Sequence, residues 1–214
     1  TFVLDALGHR WAVDLGADDY NLPGYFGSQR WSYYRLRAEG HNVLVINPAE
    51  GPDQDPVASA AIIRFESGEK GAYAIADLTK DYVGQASSVL RGIAMPGRRG
   101  ILVQDEVKAH RPSEVWWFMH TRAKIELGAE GKDAALTQSG TQLSARILQP
   151  ENARFLVLPA APLPTSPRPK GQTENEEVSK LAIHLDNIVD VRMTVSLAPP
   201  ENRVRASIVP LSDW

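Results

Sequence analysis

The chain has 214 residues and a formal net charge of −3, with 43% hydrophobic and 23% charged residues, which is a globular composition. This charge provides no bulk attraction for nucleic acid or an anionic membrane, so any anionic ligand requires a local cluster of arginines. Because the sequence contains no cysteine, disulfides and thiolate metal sites are excluded, and histidine, aspartate and glutamate remain as strong metal ligands.

The first residues, TFVLDALGHRWAVDLG, begin directly in a strand pattern. They lack the basic start and apolar stretch of a signal peptide. We therefore expect the chain to be part of a longer protein. No apolar run approaches the roughly 18 residues of a membrane-spanning helix, so no membrane span is expected. The lack of cysteine is compatible with either cytoplasm or periplasm.

Short apolar runs, alternating or continuous, begin at the N-terminus. FVLDAL and RWAVDLG flank Gly8 and His9 as an expected hairpin, and SYYRLRA leads into NVLVINP. AAIIRFES and GAYAIADL flank a glycine-rich turn at 68–71, and SVLRGIAM and GILVQDEVKA flank a second turn at 96–100. His110 then falls in an expected loop before EVWWFMHT.

The same pattern continues to the end of the chain. AKIELGA, AALTQSG, TQLSARIL and ARFLVLP follow, and KLAIHLD, VDVRMTVSLAP and VRASIVPL come after a polar gap. Strands at intervals of about 8–12 residues with glycine-rich or proline-rich turns indicate a sandwich or barrel. The sequence therefore predicts an all-β fold, a two-layer antiparallel β-sandwich that forms a single domain over residues 1–214.

Two long irregular stretches interrupt this pattern. Residues 17–30, ADDYNLPGYFGSQR, are rich in tyrosine and glycine, and we interpret them either as an ordered binding loop or as a loop packed on a sheet edge. Residues 159–177, PAAPLPTSPRPKGQTENEE, are rich in proline, and we expect a solvated surface excursion because strand patterns resume afterwards.

Asp14 stands at the end of the predicted strand RWAVDLG, and His41 stands just before the predicted strand NVLVINP. Sequence neighbours in a sandwich usually pair, so these two strand ends are expected to meet. A carboxylate and an imidazole are natural zinc ligands, but from the residues alone such a pair is more often a hydrogen-bonded Asp–His pair than half of a metal site. Asn42 is a candidate for holding a nearby loop carbonyl in place.

Other chemical patterns are weak or missing. The sequence has no GxSxG, glycine-rich phosphate loop or HExxH motif. His120 is expected at a strand end with its ring hydrogen-bonded, and His184 is expected to face solvent. Trp116 and Trp117 are expected to place one indole on each face of a strand.

RWAVDLGADDYNLPGYF, followed by RWSYYRLRAEGHNVLVINP, resembles the C-terminal β-sandwich domain of the heparinase II/III-like polysaccharide lyases, a family that includes oligoalginate lyases. ILVQDEV and VWWFMHT are also similar to that domain. The resemblance covers nearly the whole chain. It implies that an N-terminal α/α toroid precedes this domain in the parent protein, and that an anionic polysaccharide lies between the two.

The resemblance also implies a zinc ion bound by Asp14 and His41. The third zinc ligand of the family belongs to a His-x-His segment upstream of the strand that begins at Thr1 here. The family's catalytic tyrosine and carboxylate-neutralising groups belong to the toroid, so no catalytic residue is assigned to this chain. We expect the chain alone to be inactive and the parent protein to be periplasmic or secreted.

The reaction implied by the resemblance is β-elimination at a uronic acid of a glycosaminoglycan or alginate. Tyr20 and Tyr25 are the candidates for lining the substrate cleft. Arg30 and Arg35 are the candidates for binding carboxylate or sulfate, because a guanidinium can meet such groups with two parallel hydrogen bonds. The alternatives are a carbohydrate-binding or structural sandwich without chemistry, and a hydrolase whose catalytic residues are not evident.

Overall fold

A computed structural model describes residues 1–202, 204 and 208–214. The strands are Leu4–Ala6 (β1), His9–Ala12 (β2), Leu44–Ile46 (β3), Ala61–Gly68 (β4), Gly71–Asp77 (β5), Ala86–Ala94 (β6), Ile101–Thr121 (β7), Lys124–Leu127 (β8), Asp133–Gln138 (β9), Thr141–Gln149 (β10), Phe155–Pro159 (β11) and Ser179–Ala198 (β12). Short 3-10 helices span Ser28–Ser32, Tyr34–Leu36, Ala38–Gly40, Thr79–Tyr82, Pro96–Arg98 and Leu211–Asp213. The described part of the chain contains no α-helix.

Two long strands, β7 and β12, form the centre of the fold. They pair antiparallel from Ser179 opposite Thr121 to Leu197 opposite Ile101. The first half of β7 pairs with β6, and the second half of β12 pairs with β10, which gives the strand order β4-β5-β6-β7-β12-β10-β9-β8. The other ends of the two long strands pair with β3 and β11. The prediction of an all-β antiparallel sandwich is therefore confirmed.

The hydrophobic core lies between the layers because both long strands keep alternate side chains on one face from end to end. Val103, Val107 and Trp117 of β7 belong to the same buried cluster and have no exposed surface. Leu181 and Val195 of β12 lie in that cluster as well. The expectation of one indole on each face is also confirmed, because Trp116 packs on the other side with Phe118 and Ala182.

Several expectations about elements are wrong. GILVQDEVKA and EVWWFMHT form one strand, so His110 lies within β7 and not in a loop. Pro112 is tolerated there because pairing to β12 is interrupted around it, between Ser113 and Lys108, and the missing N–H breaks no ladder hydrogen bond. KLAIHLD and VDVRMTVSLAP likewise join as β12, with an irregular stretch between Leu185 and Asp190.

SYYRLRA was expected to be a strand, and it forms 3-10 turns over Tyr34–Leu36 and Ala38–Gly40. Local contacts decide this conformation, since the N–H groups of Leu36 and Arg37 both donate to the carbonyl of Tyr33. The predicted final strand VRASIVPL lies in part outside the described residues, and its residues 208–210 are not in a strand.

The proline-rich stretch 159–177 lies at the surface, as its composition suggested, with about half of its residues exposed, but it is anchored to the sandwich at several points. Ala160 and Leu163 are buried in it, and Leu163 packs on the cluster that contains Trp116 and Phe118. Its backbone is fixed by buried charge, because Glu39 accepts a hydrogen bond of 2.6 Å from the Leu163 N–H. This stretch is therefore an ordered cover over one face of the sandwich.

We expect Trp117→Ala to lower the free energy of unfolding by about 3–5 kcal/mol, because it empties a fully buried core position. Phe65→Ala in β4 is the matched control, since Phe65 is 72% exposed and its truncation should change stability by no more than about 0.5 kcal/mol. Urea unfolding of both variants measures the difference. Equal effects of the two substitutions would contradict the assignment of the core.

Candidate functional site

Asp14 and His41 meet at one end of β7. Nδ1 of His41 lies 3.1 Å from Oδ2 of Asp14, and the two side chains are 27% and 36% exposed. The expected meeting is therefore present, although β2 and β3 do not pair with each other. Instead, the Val13 N–H donates to the His120 carbonyl at 2.9 Å, and β3 pairs with β7 through Leu44 and Trp117.

Gly40 is required before His41 for a steric reason. A Cβ atom at this position would lie 2.0 Å from the carbonyl oxygen of Tyr34 and 2.9 Å from its carbonyl carbon. The turn is closed by hydrogen bonds from the Gly40 N–H to the Arg37 carbonyl at 3.1 Å and from the His41 N–H to the Ala38 carbonyl at 3.0 Å. Glycine thus allows the backbone at position 40 to contact the backbone at Tyr34, and this turn places the His41 imidazole next to Asp14.

Asn42 connects three segments around this pair, and its side chain is fully buried. Its Nδ2 donates to the carbonyls of Phe2 at 2.7 Å and Val13 at 3.0 Å. Its Oδ1 accepts a hydrogen bond of 2.6 Å from the backbone N–H of His120. One amide therefore fixes the N-terminal segment, the approach to Asp14 and the end of β7.

His120 is buried beneath the site and is neutral. Burial, with the nearby charge of Lys180, lowers the pKa of His120 from 6.5 to about 3. Its Nε2 lies 2.7 Å from the Tyr34 hydroxyl and its Nδ1 3.2 Å from Oδ1 of Asn42. A neutral ring protonated at Nδ1 satisfies both contacts, because it donates to the amide oxygen and accepts from the hydroxyl. Burial and the charge of Glu39 raise the pKa of Tyr34 well above its usual value.

The tyrosine-rich stretch 17–30 is an ordered loop with a small core of its own. Tyr25 and Tyr33 are buried in a cluster with Leu22, and the Tyr33 hydroxyl donates to the Pro23 carbonyl at 2.5 Å. Tyr20 packs against the edge of Tyr25 with a centroid distance of 5.1 Å. The loop therefore packs on its own side chains and also presents aromatic surface, and its role as a binding loop stays a prediction.

The two candidate arginines have different surroundings. The guanidinium of Arg30 lies 4.9 Å from the Tyr25 ring centroid and 5.3 Å from that of Trp31, and it is only half-buried. Arg35 donates to Oδ1 of Asn175 at 2.8 Å and to the Ala17 carbonyl at 3.1 Å. Arg35 therefore joins the loop to the stretch 159–177. Arg30 lies against aromatic faces and donates one long hydrogen bond, from Nη1 to the Tyr25 carbonyl at 3.4 Å.

All six residues that were selected from the sequence line one open cleft of about 570 Å³. They are Asp14, Tyr20, Tyr25, Arg30, Arg35 and His41. Phe26 and Trp31 also line this cleft and were not selected, although the aromatic content of the loop was the signal that pointed to them. Asp18, which accepts hydrogen bonds from the Thr173 N–H and hydroxyl at 3.1 and 2.7 Å, was also missed because its partner is distant in sequence.

The donor atoms of Asp14 and His41 suit a zinc ion. At the bond lengths of zinc to imidazole and carboxylate, two tetrahedral ligand atoms lie about 3.3 Å apart, and the observed separation is 3.1 Å. Burial raises the pKa of Asp14, but hydrogen bonding from the Gly16 N–H and the neighbouring His41 outweigh it, so the net shift is downward and the carboxylate is ionised. The Asn42 N–H contacts the Thr1 hydroxyl at 3.3 Å, so residues preceding Thr1 in a longer chain would emerge beside this pair.

The fold is an all-β sandwich with an open cleft at one end, and comparison with known families identifies the family to which it belongs. The model of the family described as Heparinase II/III-like, C-terminal, matches residues 1–180. The chain belongs to this family.

Solved structures show the same fold at low sequence identity. A heparan sulfate lyase HepC mutant from Pedobacter heparinus superposes with a TM-score of 0.66 at 11% identity, over 90% of this chain and 29% of that chain. A heparinase III superposes with a TM-score of 0.67 at 14% identity, over 90% of this chain and 28% of that one. The chain therefore spans under a third of the length of these structures. Among curated proteins, none matches.

We expect His120→Gln to remove part of the pH dependence of stability. The folded-state pKa of His120 lies below its ordinary value of 6.5, so unfolding takes up a proton below that pH. The neutral His120 ring therefore contributes fully to the free energy of unfolding above about pH 6.5, and this contribution is lost as the pH falls towards about 3. Between about pH 7 and about pH 5, the loss amounts to about 2 kcal/mol.

Denaturant unfolding at the two pH values measures this difference. His110→Gln is the matched control, because His110 is exposed on the same strand, and this variant should keep the full pH dependence. An undiminished pH dependence in His120→Gln would show that the ring is not held neutral.

Proposed function

We propose that the chain is the C-terminal domain of a polysaccharide lyase that cleaves uronic-acid-containing anionic polysaccharide by β-elimination. The observation that carries the proposal is the cleft in which the pair Asp14 and His41 meets the tyrosine-rich loop and Arg30. Family membership supports the same reaction class, and glycosaminoglycan or alginate is the expected substrate class.

In β-elimination, a base removes the C5 proton of the uronic acid, and the bond from C4 to the leaving oxygen breaks to give an unsaturated sugar. Negative charge develops on the uronate carboxylate, so a cation beside it stabilises the transition state. In this domain, Arg30 offers a half-buried guanidinium beside the aromatic rings of Tyr25 and Trp31. Its task is to bind a carboxylate or sulfate of the chain. The exposed ring of Tyr20 offers an aromatic face for a sugar ring, and the buried ring of Tyr25 supports Tyr20 from below.

Asp14 and His41 would hold a zinc ion together with a third ligand upstream of Thr1. When bound, the ion supplies positive charge and a fixed link between the two segments that flank the tyrosine-rich loop. Asn42 orients the backbone on both sides of the pair through the carbonyl of Val13 and the N–H of His120. This support positions the loop 17–30 at the cleft.

The partner that completes the site is proposed to be an N-terminal toroid domain of the same protein. Phe26 is 80% exposed and Tyr20 is 62% exposed at the rim of the cleft. Such large exposed aromatic surface is typical of a surface that another domain or a ligand covers. The chain spans under a third of the lengths of the similar structures. A periplasmic or secreted location suits a polysaccharide substrate. No helix among the described residues has the length and apolarity to cross a membrane.

We expect His41→Ala in the complete protein to lower its zinc content by one equivalent, because the variant removes one of the two ligands described here. Elemental analysis after dialysis measures zinc per chain. His110→Ala is the matched control and should retain the full content. If His41→Ala and the control hold equal zinc, Asp14 and His41 form only a hydrogen-bonded pair.

We expect the complete protein to release unsaturated uronate from heparan sulfate or alginate, which the ultraviolet absorbance of the new C4–C5 double bond detects. Arg30→Gln should raise KM by roughly tenfold, because losing one charge-assisted contact costs about 1.4 kcal/mol of binding free energy. Arg99→Gln is the control, because Arg99 is exposed away from this cleft, and its KM should be unchanged.

Two results would contradict this proposal in different ways. Binding of oligosaccharide by the complete protein without any unsaturated product would favour the non-catalytic carbohydrate-binding alternative. Cleavage that yields products without the double bond would indicate hydrolysis. An unchanged KM in Arg30→Gln with normal turnover would keep the lyase assignment and remove Arg30 from the substrate contacts.

A further inference from the structure

A second group of potential metal ligands lies at the opposite end of β3 from His41. It consists of Glu114 of β7 with His184 and Asp186 of β12, whose ligand atoms all lie within 4.8 Å of one another. Glu114 and His120 are six positions apart along β7, which corresponds to about 20 Å of extended strand. This group is therefore separate from the pair Asp14 and His41.

The orientation of the imidazole is unusual for an ordinary ion pair. Nε2 of His184 lies 2.9 Å from Oε1 of Glu114 and 3.3 Å from Oδ1 of Asp186. Nevertheless, this nitrogen is buried and makes no hydrogen bond within the described part of the chain, because neither oxygen lies where an Nε2–H would point. The two carboxylate oxygens thus lie to the side of the direction in which the Nε2 lone pair points. Their distances from Nε2 are typical of ligand atoms that share one metal ion, roughly 2.9–3.5 Å.

The surrounding residues hold these ligands in place. The Trp116 indole stacks on the His184 ring at a centroid distance of 3.9 Å and an interplanar angle of 10°. Its Nε1 donates to Oε1 of Glu114 at 2.7 Å. The backbone of Glu114 is fixed on both sides by Asn47, through its Oδ1 and its N–H, each at 2.9 Å. Outer contacts of this kind orient metal ligands and raise affinity.

We propose that Glu114, His184 and Asp186 bind a divalent transition-metal cation of the zinc or manganese class. One imidazole nitrogen and two carboxylates suit such ions better than calcium or magnesium, which prefer oxygen alone. Asp186 has 74% of its side chain exposed, so solvent can complete the coordination. The ion would join β7 to β12 beside the irregular stretch between Leu185 and Asp190, where ladder pairing is interrupted.

This proposal goes beyond the proposed function, and its test does not depend on catalysis. The complete protein carrying His41→Ala is stripped of metal and titrated with Zn²⁺ by calorimetry, so that the pair Asp14 and His41 no longer contributes. We expect one remaining equivalent to bind. Adding Asp186→Asn should weaken its binding on the order of tenfold or more, and adding His184→Gln should abolish it.

Asp186→Asn is the decisive variant, because an exposed side chain can change without disturbing the fold. A matched control is Asp190→Asn, a substitution on the same strand that should leave affinity unchanged. Zinc should also raise the Tm of His41→Ala and fail to raise that of His41→Ala with His184→Gln. If His41→Ala binds no zinc, or if Asp186→Asn binds it with unaltered affinity, the proposed second site is wrong. Either result leaves the lyase proposal intact.

Discussion

The antiparallel pairing of β7 with β12 is the constraint on which the rest of the structure depends. These strands are 21 and 20 residues long, several times the usual strand length. They contribute to both layers, so the core between the layers is lined by one continuous pair of strands. The segments that build the candidate site are docked against one end of this pair, through Val13 on β7 and through β3.

Buried charges fix the irregular segments to this pair. Lys180 of β12 is almost fully buried and donates to Glu39 at 3.1 Å and to the Ala161 carbonyl at 2.8 Å. Burial lowers the pKa of Lys180. Arg91 forms a buried bidentate pair with Asp105 at 2.7 and 2.9 Å, and it also donates to the Asn42 carbonyl. Such pairs add little net stability over apolar residues, but removing one partner costs several kcal/mol. They therefore specify where the loops lie.

Sequence reasoning succeeded where the signal was local. Alternating apolar residues and glycine turns predicted the class of fold and the hairpins β1–β2, β4–β5 and β6–β7. It failed where a long-range partner decided the outcome. The stretch 159–177 is ordered by hydrogen bonds to Glu39 and Asp18, which belong to other segments. The composition of the stretch itself cannot predict such distant partners.

The candidate site shows the same division. The residue types and the family resemblance were sufficient to select Asp14 and His41. The assumed reason for their meeting was wrong, since β2 and β3 do not pair with each other and instead lie at β7. The need for Gly40 was also visible only in three dimensions, because it comes from contact with the Tyr34 carbonyl.

The continuity of β7 and β12 has a consequence for how the domain opens. Amide hydrogens exchange through the opening of contiguous cooperative units, which often coincide with supersecondary motifs. Here the same two strands supply ladder hydrogen bonds to both layers. Loss of their pairing exposes both layers at once, and the slowest-exchanging amides of the domain should form a single cooperative unit that runs from Ile101 to Thr121.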